Sequence, residues 1–139
     1  MQADKMKVKK IKVATLTGPL LDYWVARADK LAPYREEGHK RYWLVDRPNN
    51  PANIIGPAPK GIPPDLRYSP STNWSQGGQI IERDGICLDS MSDWREDGEY
   101  GKVWEAHELS YGYICGDTPL IAAMRCYVAS KFGEEVDEI

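Results

Sequence analysis

One phenylalanine, two histidines and three cysteines are all that the 139 residues hold of those types. Cys87, Cys115 and Cys126 are odd in number and show no C-x-x-C spacing, which offers neither a disulfide framework nor a zinc site. His39 and His107 stand far apart and belong to no catalytic signature. Glu105, His107 and Glu108 lack a metal-ligand spacing. There is no G-x-S-x-G, no P-loop and no H-E-x-x-H. No catalytic residue, metal ligand or cofactor is therefore assigned. No apolar run approaches the ~20 residues of a membrane-spanning helix. Met-Gln-Ala-Asp at the N-terminus leads into five lysines between positions 5 and 12, not into the apolar stretch of a secretory signal. Reduced thiols, a bacterial-type cytosol and no membrane partner are the expectation. A formal charge of -3 argues against a protein that coats nucleic acid.

What is present is globular. Hydrophobic residues make up 42% and charged residues 28%, enough for a single domain over 1–139 that folds without a covalent staple. Five Trp and eight Tyr carry the aromatic content. Both types join an apolar body to a polar tip and suit half-buried surfaces and pockets. A surplus of them in a small domain predicts a homo-oligomer.

Along the chain, Ile11 and Val13 share one face of a short lysine-rich edge strand. Thr17 caps a helix whose apolar stripe is Leu20, Leu21, Trp24, Val25, Ala28 and Leu31, ended by Pro33. Tyr42-Trp43-Leu44-Val45 reads as a strand. Residues 47–70 hold seven of the ten prolines and read as a long loop or insert outside the core, in the position of a lid. Ser71 or Thr72 caps a second helix, interrupted by Gly77 and Gly78, which ends at Asp84-Gly85. Ile86-Cys87-Leu88 and residues 102–109 read as strands joined by a polar connection over 89–101, with a further strand at 111–115. Asp117 or Thr118 caps the last helix. Its stripe is Leu120, Ile121, Met124, Val128 and Phe132, and Gly133 stops it. Cys115 and Cys126 read as small buried hydrophobes, Glu82-Arg83-Asp84 as a solvated helix end, and 134–139 as a solvated tail. This order predicts one α+β domain, a mainly antiparallel sheet packed by helices near 18–32, 72–84 and 117–132.

Three blocks carry a family resemblance: Leu16-Thr17-Gly18-Pro19-Leu20-Leu21-Asp22, Tyr68-Ser69-Pro70-Ser71-Thr72-Asn73-Trp74-Ser75-Gln76-Gly77-Gly78, and Gly116-Asp117-Thr118-Pro119-Leu120-Ile121-Ala122-Ala123-Met124-Arg125. On these the chain resembles the NinX-like phage proteins, a family of unknown function. It carries Asn73 where that family usually has Asp. The family is in turn similar to the phage domain described as an alpha-beta-alpha sandwich. The resemblance implies a phage origin and action in the cytoplasm of the infected bacterium.

Each block places small polar residues at a helix N-terminus: Thr17-Gly18, Ser71-Thr72 and Asp117-Thr118. Free N–H groups and a partial positive charge at such ends favour anions. If the ends converge they form a phosphate pocket, with Arg125 as its charge partner. Trp74 and Tyr68 then stack on a base, Asn73 and Gln76 read a base edge, and Gly77 and Gly78 let the ligand approach the backbone. The competing account is that these are ordinary helix caps beside a buried Trp. The functional expectation is a non-catalytic phage accessory protein binding a small nucleotide-derived ligand, for instance as a sponge for a host immune signal such as a cyclic oligonucleotide or an ADP-ribose derivative. The alternatives are a protein–protein interaction module and an enzyme acting on nucleotides.

Overall fold

A computed structural model describes residues 9–35, 41–47, 50, 52–57, 60–61, 63 and 66–139. Strand β1, Lys10–Lys12, pairs antiparallel with β7, Glu135–Asp137, with Ile11 opposite Val136. Lys10 and Lys12 are exposed on either side of half-buried Ile11. The expected solvated tail is thus corrected: Val136 is buried, and the acids around it, Asp137 on Lys10 among them, face solvent.

Helix α1 is Gly18–Ala28. It ends well before the expected position 32. The Lys30 amide bonds the Arg27 carbonyl and the Leu31 amide bonds that of Ala26, with Lys30 at φ 64°. That is the double-bonded C-terminal turn in which a left-handed residue stops the helix. The chain has therefore left the helix before Pro33. Leu31 still packs on the core, so its helical spacing is coincidental.

Strand β2, Trp43–Leu44, pairs antiparallel with β3, Ile54–Ile55. This corrects the reading of 47–70 as lying outside the core. Ile54, Ile55, Ala52, Tyr68 and Pro70 are all buried. Helix α2, Trp74–Asp84, is capped by Asn73 rather than by Ser71 or Thr72. Asn73 Oδ1 accepts from the Ser75 amide at 2.8 Å. The amides of Thr72 and Asn73 both turn back to the Ser69 carbonyl, which delays the helix start.

Strands β4, Cys87–Trp94, β5, Tyr100–Glu108, and β6, Tyr111–Gly116, form an antiparallel sheet in that order. Most of the expected polar connection 89–101 is strand. Asp and Ser have weak β preference, and here cross-strand pairing with β5 overrides it. Leu88, Ala106 and Ile114 lie in register and face the core. Cys87, Asp89, Asp93 and Cys115 are exposed, so Cys115 is not the buried residue expected, whereas Cys126 is.

Helix α3, Pro119–Phe132, is the centre of the fold. It packs on the sheet on one side and on α1 and α2 on the other. Residues 122–129 are all buried, so it has no single apolar stripe. Its Ala and Cys residues keep it slim enough for neighbours on every side. A Cβ at Gly116 would sit 2.6 Å from the Ala122 amide, a measure of how closely β6 approaches α3. Among the described residues no helix is long and apolar enough to cross a membrane.

Candidate functional site

The contacts between helices show that all three run in the same sense. Near their starts, Asp22 of α1 accepts from the Ser71 amide just ahead of α2, at 2.9 Å. Gly77 in the first turn of α2 lies against Leu120 in the first turn of α3. Near their ends, Asp29 meets Arg83 and Tyr127. Parallel helices bring their positive ends to one side of the molecule.

A cleft of about 220 Å³ opens between two of those ends. It is lined by Ser71, Thr72 and Trp74 at the start of α2, and by Thr118, Pro119, Leu120 and Ile121 at the start of α3. The indole of Trp74 stands on its wall, 57% exposed. Thr118 caps α3 by accepting from the Ile121 amide at 3.1 Å, which leaves its hydroxyl hydrogen free to donate. The Trp74 and Leu120 amides make no hydrogen bond among the described residues, as expected for the first turn of a helix. A Cβ at Gly78 would lie 3.8 Å from the Trp74 ring, in ordinary contact with it.

The other expected site residues are placed elsewhere. Thr17 and Gly18 start α1 but do not line the cleft, and Thr17 makes no side-chain cap bond. Tyr68 is buried with the Arg47 guanidinium 4.7 Å from its ring centre, so it offers no face for stacking. Gln76 is spent on backbone: Oε1 accepts from the Ser69 amide at 2.6 Å and Nε2 donates to the Arg67 carbonyl at 2.8 Å. Asn73 is the cap of α2. Gly77 gives close approach not to a ligand but to the Pro70 carbonyl and to Leu120, the latter 2.6 Å from its would-be Cβ. Asp117 accepts from the Glu96 amide at 3.1 Å.

Arg125 is the largest departure. It is 1% exposed. Its Nε donates to the Leu16 carbonyl and one terminal nitrogen to the Cys115 carbonyl, both at 2.8 Å. The fork closes on the Glu96 carboxylate at 2.9 and 3.2 Å. The guanidinium thus fastens the starts of α1 and α3 to the β4–β5 connection and is already paired.

Sequence reasoning misses Asp22. A carboxylate between Leu21 and Tyr23 in an apolar stretch is the signal that marks it. It is buried, and burial pushes its carboxyl up to about 7 against the opposing effect of hydrogen bonding from Ser71. At the far helix ends, Arg83 donates to Asp29 and Asp84, each at 3.0 Å, so Arg83 and Asp84 are tied down rather than merely solvated. His107 packs against Tyr113 with ring centres 4.6 Å apart and planes tilted by 51°. Among the described residues no three His, Cys, Asp or Glu side chains are grouped as metal ligands.

The family model described as bacteriophage P22, NinX matches residues 12–131. The chain belongs to the NinX family of phage proteins. No curated protein matches it significantly. In this NinX-family chain the three blocks of the sequence are also blocks in contact. Arg125 joins 116–125 to 16–22, the Asp22–Ser71 bond joins 16–22 to 68–78, and Gly77 against Leu120 joins 68–78 to 116–125.

Proposed function

We propose that this NinX-family protein is a non-catalytic phage accessory protein that captures a small nucleotide-like ligand, with one ring of that ligand held against Trp74. The observation that carries the reading is a half-exposed indole on the wall of a cleft shared by two helix N-termini. An indole left in water at such a place offers a stacking face worth about 1–3 kcal/mol to a base. The amides of Trp74 and Leu120 and the hydroxyl of Thr118 offer donors to a phosphate, and the helix ends supply partial positive charge. Arg125 is not needed for this. Pockets that engulf a drug-sized ligand measure roughly 300–1,000 Å³. The smaller cleft here suits a grip on one ring of a larger molecule. In the cytoplasm of an infected bacterium, capture without chemistry acts as a sponge for a host signal such as a cyclic oligonucleotide or an ADP-ribose derivative. A second copy completing the cleft accords with the exposed Trp74. Light scattering giving a monomer mass with ligand present removes that part of the reading.

The test is a thermal shift with ADP-ribose and with cyclic di- and trinucleotides, followed by denaturation and recovery of the ligand. A shift with intact ligand is expected. Trp74→Ala should bind about ten- to a hundred-fold more weakly, with an unchanged melting temperature because the ring is largely outside the core. No shift with any nucleotide overturns the reading, and a chemically altered ligand replaces it with an enzyme.

A further inference from the structure

Strand β4 ends its sheet, and no described residue outside β5 pairs with its backbone apart from the Asp93 carboxylate on the Trp94 amide. An eight-residue open edge invites another strand, and proteins usually blunt such edges with charged side chains, lysine above all, with proline or with a covering element. Cys-Leu-Asp-Ser-Met-Ser-Asp-Trp contains neither lysine nor proline. Asp89 and Asp93 are exposed, share one face by strand alternation, and form no ion pair among the described residues. Asp89 sits directly across from Glu105, a like-charge pair that disfavours the sheet. At the end of the strand Trp94 and Tyr100 meet edge to face at 5.4 Å while 69% and 61% exposed. Residues 87–102 hold five acids against two bases, Arg95 and Lys102. Arg95 is taken by Asp97 at 3.1 Å and Lys102 lies over Trp104.

We infer that the free edge of β4 is a docking strand for an extended, lysine- or arginine-rich segment of a partner protein. Added to the edge, such a segment gains main-chain hydrogen bonds and presents alternate side chains to each face. Basic residues four apart meet Asp89 and Asp93, and the residue between them packs over Met91. Charge selects this occupant over two others. A second copy paired antiparallel about Met91 sets Asp89 against the other copy's Asp93, and a nucleic acid meets the carboxylates of Asp89 and Asp93, which no described cation pairs. The edge does not line the Trp74 cleft, so failure here leaves the ligand reading intact.

The experiment titrates a terminally blocked peptide, Lys-Val-Lys-Val-Lys-Val-Lys, into the isotope-labelled full chain and follows amide shifts. Saturable shifts confined to 87–94 and 100–108 are expected. The variant carrying Asp89→Lys and Asp93→Lys should melt no lower than the parent, because the change at 89 removes the like-charge pair with Glu105, bind this peptide at least ten-fold more weakly, and gain binding to the Glu-Val-Glu-Val-Glu-Val-Glu peptide. The proposal is overturned by absent or unsaturable binding, by shifts elsewhere, by equal affinity in the charge-reversed variant, or by undiminished binding of a backbone N-methylated peptide. Shifts of 87–94 with protein concentration alone would make a second copy the occupant, and shifts there with a single-stranded oligonucleotide would make it nucleic acid. Either result defeats the proposal.

Discussion

The two ends of the helix trio are built on opposite plans. At the C-terminal ends the chain closes on itself. Asp29 accepts from the Tyr127 hydroxyl and from Arg83, Arg83 also holds Asp84, and Lys131 lies over the Tyr127 ring. Cations there complement the negative ends of the helices. At the N-terminal ends the buried cation Arg125 is turned inward, and amides, hydroxyls and an indole face the cleft. The closed end has the larger cleft, about 470 Å³ against about 220 Å³, lined by Asp29, Lys30, Arg83, Asp84, Tyr127 and Lys131. Volume is therefore the poorer guide. Its carboxylates are already engaged with one another's partners, whereas the smaller cleft keeps donors in hand. A binding site is better sought where a protein leaves groups unspent than where it leaves space.

Substitutions at each end sharpen the contrast. Arg125→Ala should do most harm. It leaves the carbonyls of Leu16 and Cys115 without their donor, at a cost of about 1–3 kcal/mol for each, read by denaturant unfolding. A loss below about 1 kcal/mol, the size of a surface pair, would mean that Arg125 does not fasten this end.

Asp22 follows. Its folded carboxyl is raised to about 7, above its unfolded value. The fold thus prefers the protonated acid, and this contribution is present below about pH 4, is lost as pH rises, and is gone above about 7. Asp22→Asn keeps an oxygen to accept from the Ser71 amide and removes the charge. Its stability should exceed that of the parent at pH 8 by up to roughly 4 kcal/mol and match it more closely near pH 4. Equal unfolding free energies at both pH values would contradict the burial of an ionisable Asp22.

Two adjacent glycines in α2 should then respond with opposite signs. Gly77→Ala drives a methyl into the Pro70 carbonyl and Leu120 and should destabilise by about 1–3 kcal/mol. Gly78→Ala meets nothing closer than 3.8 Å and should stabilise by about 0.5–1 kcal/mol through helix propensity. Paired melting curves decide it. The reverse order would mean that α2 and α3 do not touch at their first turns. Arg83→Ala at the closed end is the mildest. Its ion pairs are half exposed, so the loss should stay within about 1 kcal/mol and shrink in high salt.

Much of the architecture is legible in local sequence. Helix α3 begins and ends at its local signals, Thr118, Pro119 and Gly133, because a cap acts within three or four residues of itself. Trp74 and Thr118 are legible as marks of two helix starts for the same reason, but that the two starts share a cleft is not. Strand β4 is not. Nothing in Asp89, Ser90, Ser92 or Asp93 favours a strand, and β5 alone makes them one. The C-terminal strand β7 is hidden likewise, because its partner β1 lies at the other end of the chain.

Residue type does not reveal employment. Arg125, Gln76 and Tyr68 have the donors and rings that a nucleotide site uses, and the fold gives two of them to backbone carbonyls and the third to the core. By itself the sequence determined the starts of α1 and α3, the stops at Gly85 and Gly133, the α+β class and the family blocks, all of which are encoded over short stretches of chain. Tertiary structure alone decided that the three blocks touch, that the helices are parallel, and that Arg125 is spent while Trp74 is left open. A donor is free or taken according to groups up to 109 residues away, such as the Leu16 carbonyl beneath Arg125, and no local pattern carries that information.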